Sequence, residues 1–177
     1  MNRKAIKSIL EKTHRNFVES IKDDVVKELI NKNSIITGGA IVSLLTGEEV
    51  NDYDYYFTDK ETCLAVARYY AKQFNDTHKG KKQVEVREDD FGRITCFISS
   101  SGEAGEVEDA ENTTPDESDD EEPHKAIYFT SNAITLKGKI QLVIRFYGDP
   151  AEIHKNYDFI HCTNYWLSSD SDLHLNI

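Results

Sequence analysis

The chain has 177 residues, of which 38% are hydrophobic and 30% charged, with a formal net charge of −11. This length suits one ordinary domain with a sizeable core. No apolar run approaches the ~20 residues that span a bilayer, and the N-terminus lacks the apolar stretch and cleavage site of a secretory signal.

The negative charge is confined to one segment. Eleven of the 32 acids fall within residues 101–124, which contain no lysine or arginine, so the other 21 acids balance the 21 bases. The folded remainder is therefore neutral and compatible with a phosphate-bearing ligand. Three cysteines, Cys63, Cys96 and Cys162, form no Cys-x-x-Cys pair. They imply neither a zinc site nor a disulfide framework, and they point to a reducing, cytoplasmic setting.

Residues 4–31 are expected to be helical. Ile6, Ile9, Leu10, Phe17, Val18, Ile21, Val25 and Leu29 recur at three- and four-residue spacing. Thr13 and His14 interrupt the stripe and allow a division into two helices. Ser34 to Thr37 reads as a strand, Gly38-Gly39 as a turn, and Ala40 to Leu45 as a short helix that Gly47 caps. Asp52 to Phe57, rich in tyrosine and phenylalanine, reads as a strand.

Thr58-Asp59-Lys60-Glu61 has capping-box spacing, with Thr58 as the cap. It opens a helix to about Phe74, with Cys63, Ala67, Tyr70 and Phe74 on one face. A polar loop from Asn75 to Lys82 follows. Gln83 to Arg87 and Arg93 to Ser99 form a hairpin through Asp89-Asp90-Phe91-Gly92.

Residues 101–124 read as a disordered acidic insert, too polar to offset ordering entropy. They offer a surface for a protein partner. Ala126 to Phe129 and Lys139 to Phe146 are strand-like, the latter apolar enough to be buried. Asp149-Pro150 starts a helical turn to about Asn156, Tyr157 to Thr163 forms a further strand, and residues 168–172 form a loop.

The chemistry concentrates in one stretch: a Gly-Gly turn, a short helix, then Asp52-Tyr53-Asp54. Side chains alternate along a strand, so Asp52 and Asp54 share a face. Two adjacent carboxylates repel each other unless a cation lies between them. Their oxygens are the hard ligands that Mg²⁺ prefers. Glycines without Cβ atoms let a phosphate approach the backbone. A helix starting near Ala40 would aim unpaired amides at it, and Thr37 or Ser43 could add a hydroxyl. Asp-x-Asp on a solvated turn remains the plain alternative.

Other groups carry less. His154, His161 and His174 match no zinc spacing. His161 and Cys162 are adjacent on a strand and face apart. Lys79-Gly80-Lys81-Lys82 reads as a solvated basic loop. Tyr165 and Trp166 either fill the core or stack on a base.

The run Thr37-Gly38-Gly39-Ala40-Ile41-Val42-Ser43-Leu44-Leu45-Thr46-Gly47, continued to Asp52-Tyr53-Asp54, resembles the signature of polymerase-β-type nucleotidyltransferases. It is most similar to the CCA-adding and poly(A) polymerase branch. Asn132 to Thr135, Lys139 to Phe146 and Tyr157-Asp158-Phe159 resemble bacteriophage-encoded nucleotidyltransferase-like proteins.

The resemblance implies a single α+β domain over residues 1–177, with a mixed or antiparallel sheet flanked by helices. It implies that Gly38 and Gly39 bind a nucleoside triphosphate, beside which Thr37 and Ser43 are the candidate hydroxyl donors. It also implies that Asp52, Asp54 and a third carboxylate hold two Mg²⁺ and carry catalysis. Asp158 is the choice for the third, with Glu85 as its rival.

The implied reaction moves a nucleoside monophosphate from the triphosphate to a hydroxyl, with RNA as one acceptor. A non-catalytic or virion-associated binding module is the alternative. Where the CCA-adding branch has Arg-Asp, this chain has Val42-Ser43, which argues against tRNA specificity. The helical domain that follows in such relatives is not contained in residues 1–177.

Overall fold

A computed structural model describes residues 2–77, 83–99, 107–109, 124–150 and 164–175. In these the chain is mixed α+β. Four helices are α1 (Arg3–Ser20), α2 (Asp24–Lys32), α3 (Gly39–Thr46) and α4 (Lys60–Thr77). Ten strands are β1 (Ser34–Thr37), β2 (Tyr53–Phe57), β3 (Gln83–Glu88), β4 (Ile94–Ser99), β5 (Val107–Asp109), β6 (Ala126–Phe129), β7 (Ala133–Leu136), β8 (Ile140–Tyr147), β9 (Tyr165–Leu167) and β10 (Asp172–His174). None of the described helices is long and apolar enough to cross a membrane.

Seven strands form the main sheet, in the order β10-β9-β1-β2-β8-β7-β6, and β3-β4-β5 form a second one. Every pairing is antiparallel except β2 with β8. Parallel neighbours need a long crossover, and here it contains α4 and the whole second sheet.

The two faces of the main sheet differ. Ile36, Tyr55, Phe57, Leu142, Ile144, Trp166 and Leu173 join the large core with all four helices. Ile35 and Tyr56 turn the other way and form a small cluster with Val143, Phe146, Tyr165 and Leu167. Strand alternation produces this division, except late in β8, where a register shift against β2 puts Phe146 with the small cluster and Tyr147 against the core.

The N-terminal helix divides elsewhere than at Thr13 and His14. Ile6, Leu10, His14 and Phe17 are all buried along α1, so His14 continues the stripe. Its Nδ1 lies 3.0 Å from the Tyr55 hydroxyl and its ring packs 4.9 Å from Trp166. Burial lowers the His14 pKa to about 4, so the ring stays neutral and joins α1 to β2 without carrying charge.

The break falls at residues 21–23. There Asp23 accepts from the amides of Val25 and Val26 and caps α2. A new cap sets a new helical phase, so Val26 and Ile30 turn inward in place of the expected Val25 and Leu29. Val25 is 68% exposed.

Four further expectations change. The cap of α4 is Asp59, whose Oδ1 accepts from the Thr62 amide at 2.8 Å. Thr58 instead donates its amide to Asn33 O at 3.0 Å, which ties it to the end of the sheet. α4 also runs on to Thr77. β7, β9 and β10, of three or four residues each, are strands that the sequence does not announce. Within the acidic insert, Val107–Asp109 pairs with β4 as an edge strand; residues 101–106 and 110–123 lie outside the described residues. So do the Lys79–Lys82 loop and residues 151–163.

The Asp59 cap is open to a direct check by urea unfolding. Asp59→Ala should cost about 1 kcal/mol, whereas Thr58→Ala should stay within about 0.5 kcal/mol of wild type. The reverse order would restore Thr58 as the cap.

Candidate functional site

β1 and β2 are adjacent antiparallel strands with Thr37 opposite Asp54. The link between them is α3 and the loop that follows it. Gly38 enters α3 at φ 79 and ψ −140, a conformation essentially closed to L-residues. A Cβ there would lie 3.6 Å from Asp54 Oδ2, an ordinary contact. The glycine is therefore required for its backbone angles. Gly47 closes α3 in the left-handed region, its amide bonded to Leu44 O and Ser43 O, as its C-cap assignment requires.

The turn brings the start of α3 against the aspartates. Gly39, Ala40, Ser43, Asn51, Asp52, Asp54 and Gln141 line a cavity of ≈ 190 Å³. The first amides of a helix have no acceptor inside it, and no side chain caps those of α3. A Cβ added at Gly39 would meet nothing within 4 Å. Open space thus lies beside exposed backbone donors, where an anion is favoured.

Asp54 is half-buried and Asp52 exposed. Burial, and after it the charge of Asp52, push the Asp54 pKa up to about 6. Among the described residues no lysine or arginine is paired with either carboxylate. The pair is left with excess negative charge beside a positive helix end. Asp52, Asp54, Gln141, Asn51 and Ser43 offer only oxygen and amide donors, a set that suits a hard divalent cation.

The expected residues fall into groups. Asp52, Asp54, Gly39 and Ser43 line the cavity, and Gly38 adjoins it. Thr37 is next to Asp54 on β1, but its hydroxyl is buried, has no hydrogen-bond partner among the described residues and does not line the cavity. Glu85 stands on β3 of the other sheet, bonded to Arg87 at 2.9 Å, and does not line the cavity. Asp158 lies outside the described residues, as do His154, His161 and Cys162. No cluster of three or more metal-ligating side chains occurs among the described residues.

Gln141 was missed. It sits on β8 opposite Asp54 in the parallel register. The signal was a single amide inside the apolar run Ile140 to Phe146, which reads as a buried strand when the period of two is ignored. Asn51, immediately before the acids, also lines the cavity and is not singled out by the sequence.

A profile described as "Gad2: Gabija anti-defense 2 family protein" matches residues 8–176. No curated protein and no solved structure matches the chain.

The raised pKa of Asp54 has a consequence for stability. Relative to its ordinary value of 3.8, the folded chain holds this proton up to about pH 6. The folded state binds more protons than the unfolded one in that window, so stability falls as pH rises through it. A pKa rise of this size corresponds to a loss of about 3 kcal/mol above pH 6.

Asp54→Asn should therefore be more stable than wild type by about that amount at pH 7.5, and no more stable at pH 3.5. The difference between the two proteins is the quantity to measure. Neutral, buried His14 makes both lose stability as pH falls below 6.5. A variant less stable than wild type at pH 7.5 would mean that Asp54 has a stabilising partner when charged.

Proposed function

This chain belongs to the Gabija anti-defense 2 family, and from that premise we propose that it acts as a magnesium-dependent nucleotidyltransferase in an anti-defence role. The reading takes the polymerase-β-type resemblance as its guide to fold and chemistry. The observation that carries it is the meeting of Asp52, Asp54 and the uncapped start of α3 around one cavity.

Each side chain then has a task. Asp52 and Asp54 would hold Mg²⁺, with the Gln141 amide and Ser43 hydroxyl beside them. The α3 amides from Gly39 onward would bind the triphosphate, and Gly38 supplies the turn that aims them. Asp158 is assigned the proton of the acceptor hydroxyl. When bound, Mg²⁺ would offset charge on the phosphoryl oxygens during in-line displacement. The products are a nucleotidylated acceptor, RNA or another hydroxyl, and pyrophosphate. Such an acceptor belonging to a defence system would link the chemistry to the role in the family's description.

One observation favours a second reading. The described part of the cavity holds two carboxylates, not three. A site of that kind can bind a metal nucleotide without turning it over. The chain would then oppose its target by sequestering a nucleotide or by contact, for which the acidic insert offers a surface.

The two readings separate in one assay. Protein is incubated with each α-labelled nucleoside triphosphate, Mg²⁺ and mixed RNA, and with lysate of cells carrying the defence system. Transfer of label is expected from wild type, with a loss of at least a hundredfold in Asp52→Ala and Asp54→Ala. Transfer at wild-type rate by both variants would reject the assignment. Nucleotide binding without transfer would favour the second reading.

A further inference from the structure

The register of the main sheet extends the site well beyond its cavity. Gln141 faces Asp54, Asp54 faces Thr37, Thr37 faces Tyr165, and Tyr165 faces His174. Directly opposed residues share a face. These five side chains therefore form one transverse row across β8, β2, β1, β9 and β10. It lies on the face opposite the helices, where Tyr165 also packs beside the Ile35–Tyr56 cluster.

The far end of the row is aromatic and flat. The rings of Tyr165 and His174 are stacked, 4.6 Å between centroids and 15° between planes. Both are partly exposed. Asp170 Oδ2 lies 2.9 Å from His174 Nε2 and fixes the orientation of that ring. Between this stack and the acids sits Thr37, 0% exposed, its hydroxyl without a partner among the described residues. An orphaned buried hydroxyl is costly, and a ligand lying along the row could satisfy it once the flanking side chains part.

The spacing defines the ligand. Neighbouring strands are ~4.8 Å apart, so Tyr165 lies roughly 10 Å and His174 roughly 14 Å from Asp54 across the sheet. A polyphosphate held at Asp52, Asp54 and the α3 amides has its nucleoside to place, and this row runs from the phosphate end to an aromatic platform. Bases stack on such platforms with little regard to sequence.

We propose that Thr37, Tyr165 and His174 form the nucleoside subsite of this protein, with the Tyr165–His174 stack receiving the base and the Thr37 hydroxyl contacting the sugar. The inference rests on the metal–phosphate reading of the cavity. It adds the part of the nucleotide that the cavity residues leave unbound.

Calorimetric titration with Mg²⁺ plus ATP, GTP, CTP or UTP, against Mg²⁺ plus tripolyphosphate, tests it. Wild type should bind at least one nucleotide more tightly than tripolyphosphate. His174→Ala and Tyr165→Leu should each weaken that nucleotide roughly tenfold while leaving tripolyphosphate unchanged. Tyr165→Phe should retain the affinity.

If Tyr165→Leu fails to fold by circular dichroism, His174→Ala at the sheet edge decides the matter. Wild type that binds tripolyphosphate as tightly as every nucleotide would overturn the subsite alone. So would variants that lose both ligands in step. Wild type that binds neither ligand would overturn the metal–phosphate reading and the subsite with it.

Discussion

Asp54 lies half-buried beside Asp52, with no basic side chain paired to either among the described residues. Repulsion and desolvation both act against holding two carboxylates in this way. The surroundings show what keeps them there. The Tyr55 hydroxyl, next along β2, is held by the neutral ring of buried His14, and Tyr55 packs edge-on to Phe17, 5.0 Å between centroids. On the other side β2 is hydrogen-bonded to β8, which brings Gln141 to the pair. The core thus fixes a strand whose opposite face carries an unfavourable charge. Sites that bind cations are commonly stabilised only when loaded.

The same constraint gives α3 its place. A helix of eight residues contributes little stability by itself. Ala40, Ile41 and Leu44 anchor it in the core, and Gly38 supplies a backbone turn that other residues resist. The start of α3 consequently lines the same cavity as the carboxylates. Groups that favour an anion and groups that favour a cation meet within one small cavity, the combination on which the metal–polyphosphate proposal rests.

Much of this arrangement was legible in the sequence. Ser34 to Thr37 and the glycine cap at Gly47 were read correctly because short-range chemistry decides them. The alternation around Tyr53 put Asp54 on the face away from Tyr53 and Tyr55 for the same reason, although the strand begins at Tyr53 and leaves Asp52 just before it. What escaped depended on distant partners. His14 looked like an interruption because polar residues on apolar stripes usually are; the Tyr55 hydroxyl across the core makes it a stripe residue. Gln141 gains its meaning from a parallel neighbour that lies 87 positions earlier. The row from Asp54 to His174 exists only in the strand order, which no local pattern records. The third carboxylate was assigned to Asp158 by resemblance, and only Glu85, its rival, falls among the described residues.

The most direct test of the central claim is the occupancy of the aspartate pair by a divalent cation. Mn²⁺, which gives an electron paramagnetic resonance signal, can stand in for Mg²⁺. In the presence of ATP, wild type should remove free Mn²⁺ signal beyond the amount ATP removes alone, and Asp52→Asn and Asp54→Asn should abolish that excess. An excess that persists unchanged in both variants, or none in wild type, would contradict the account.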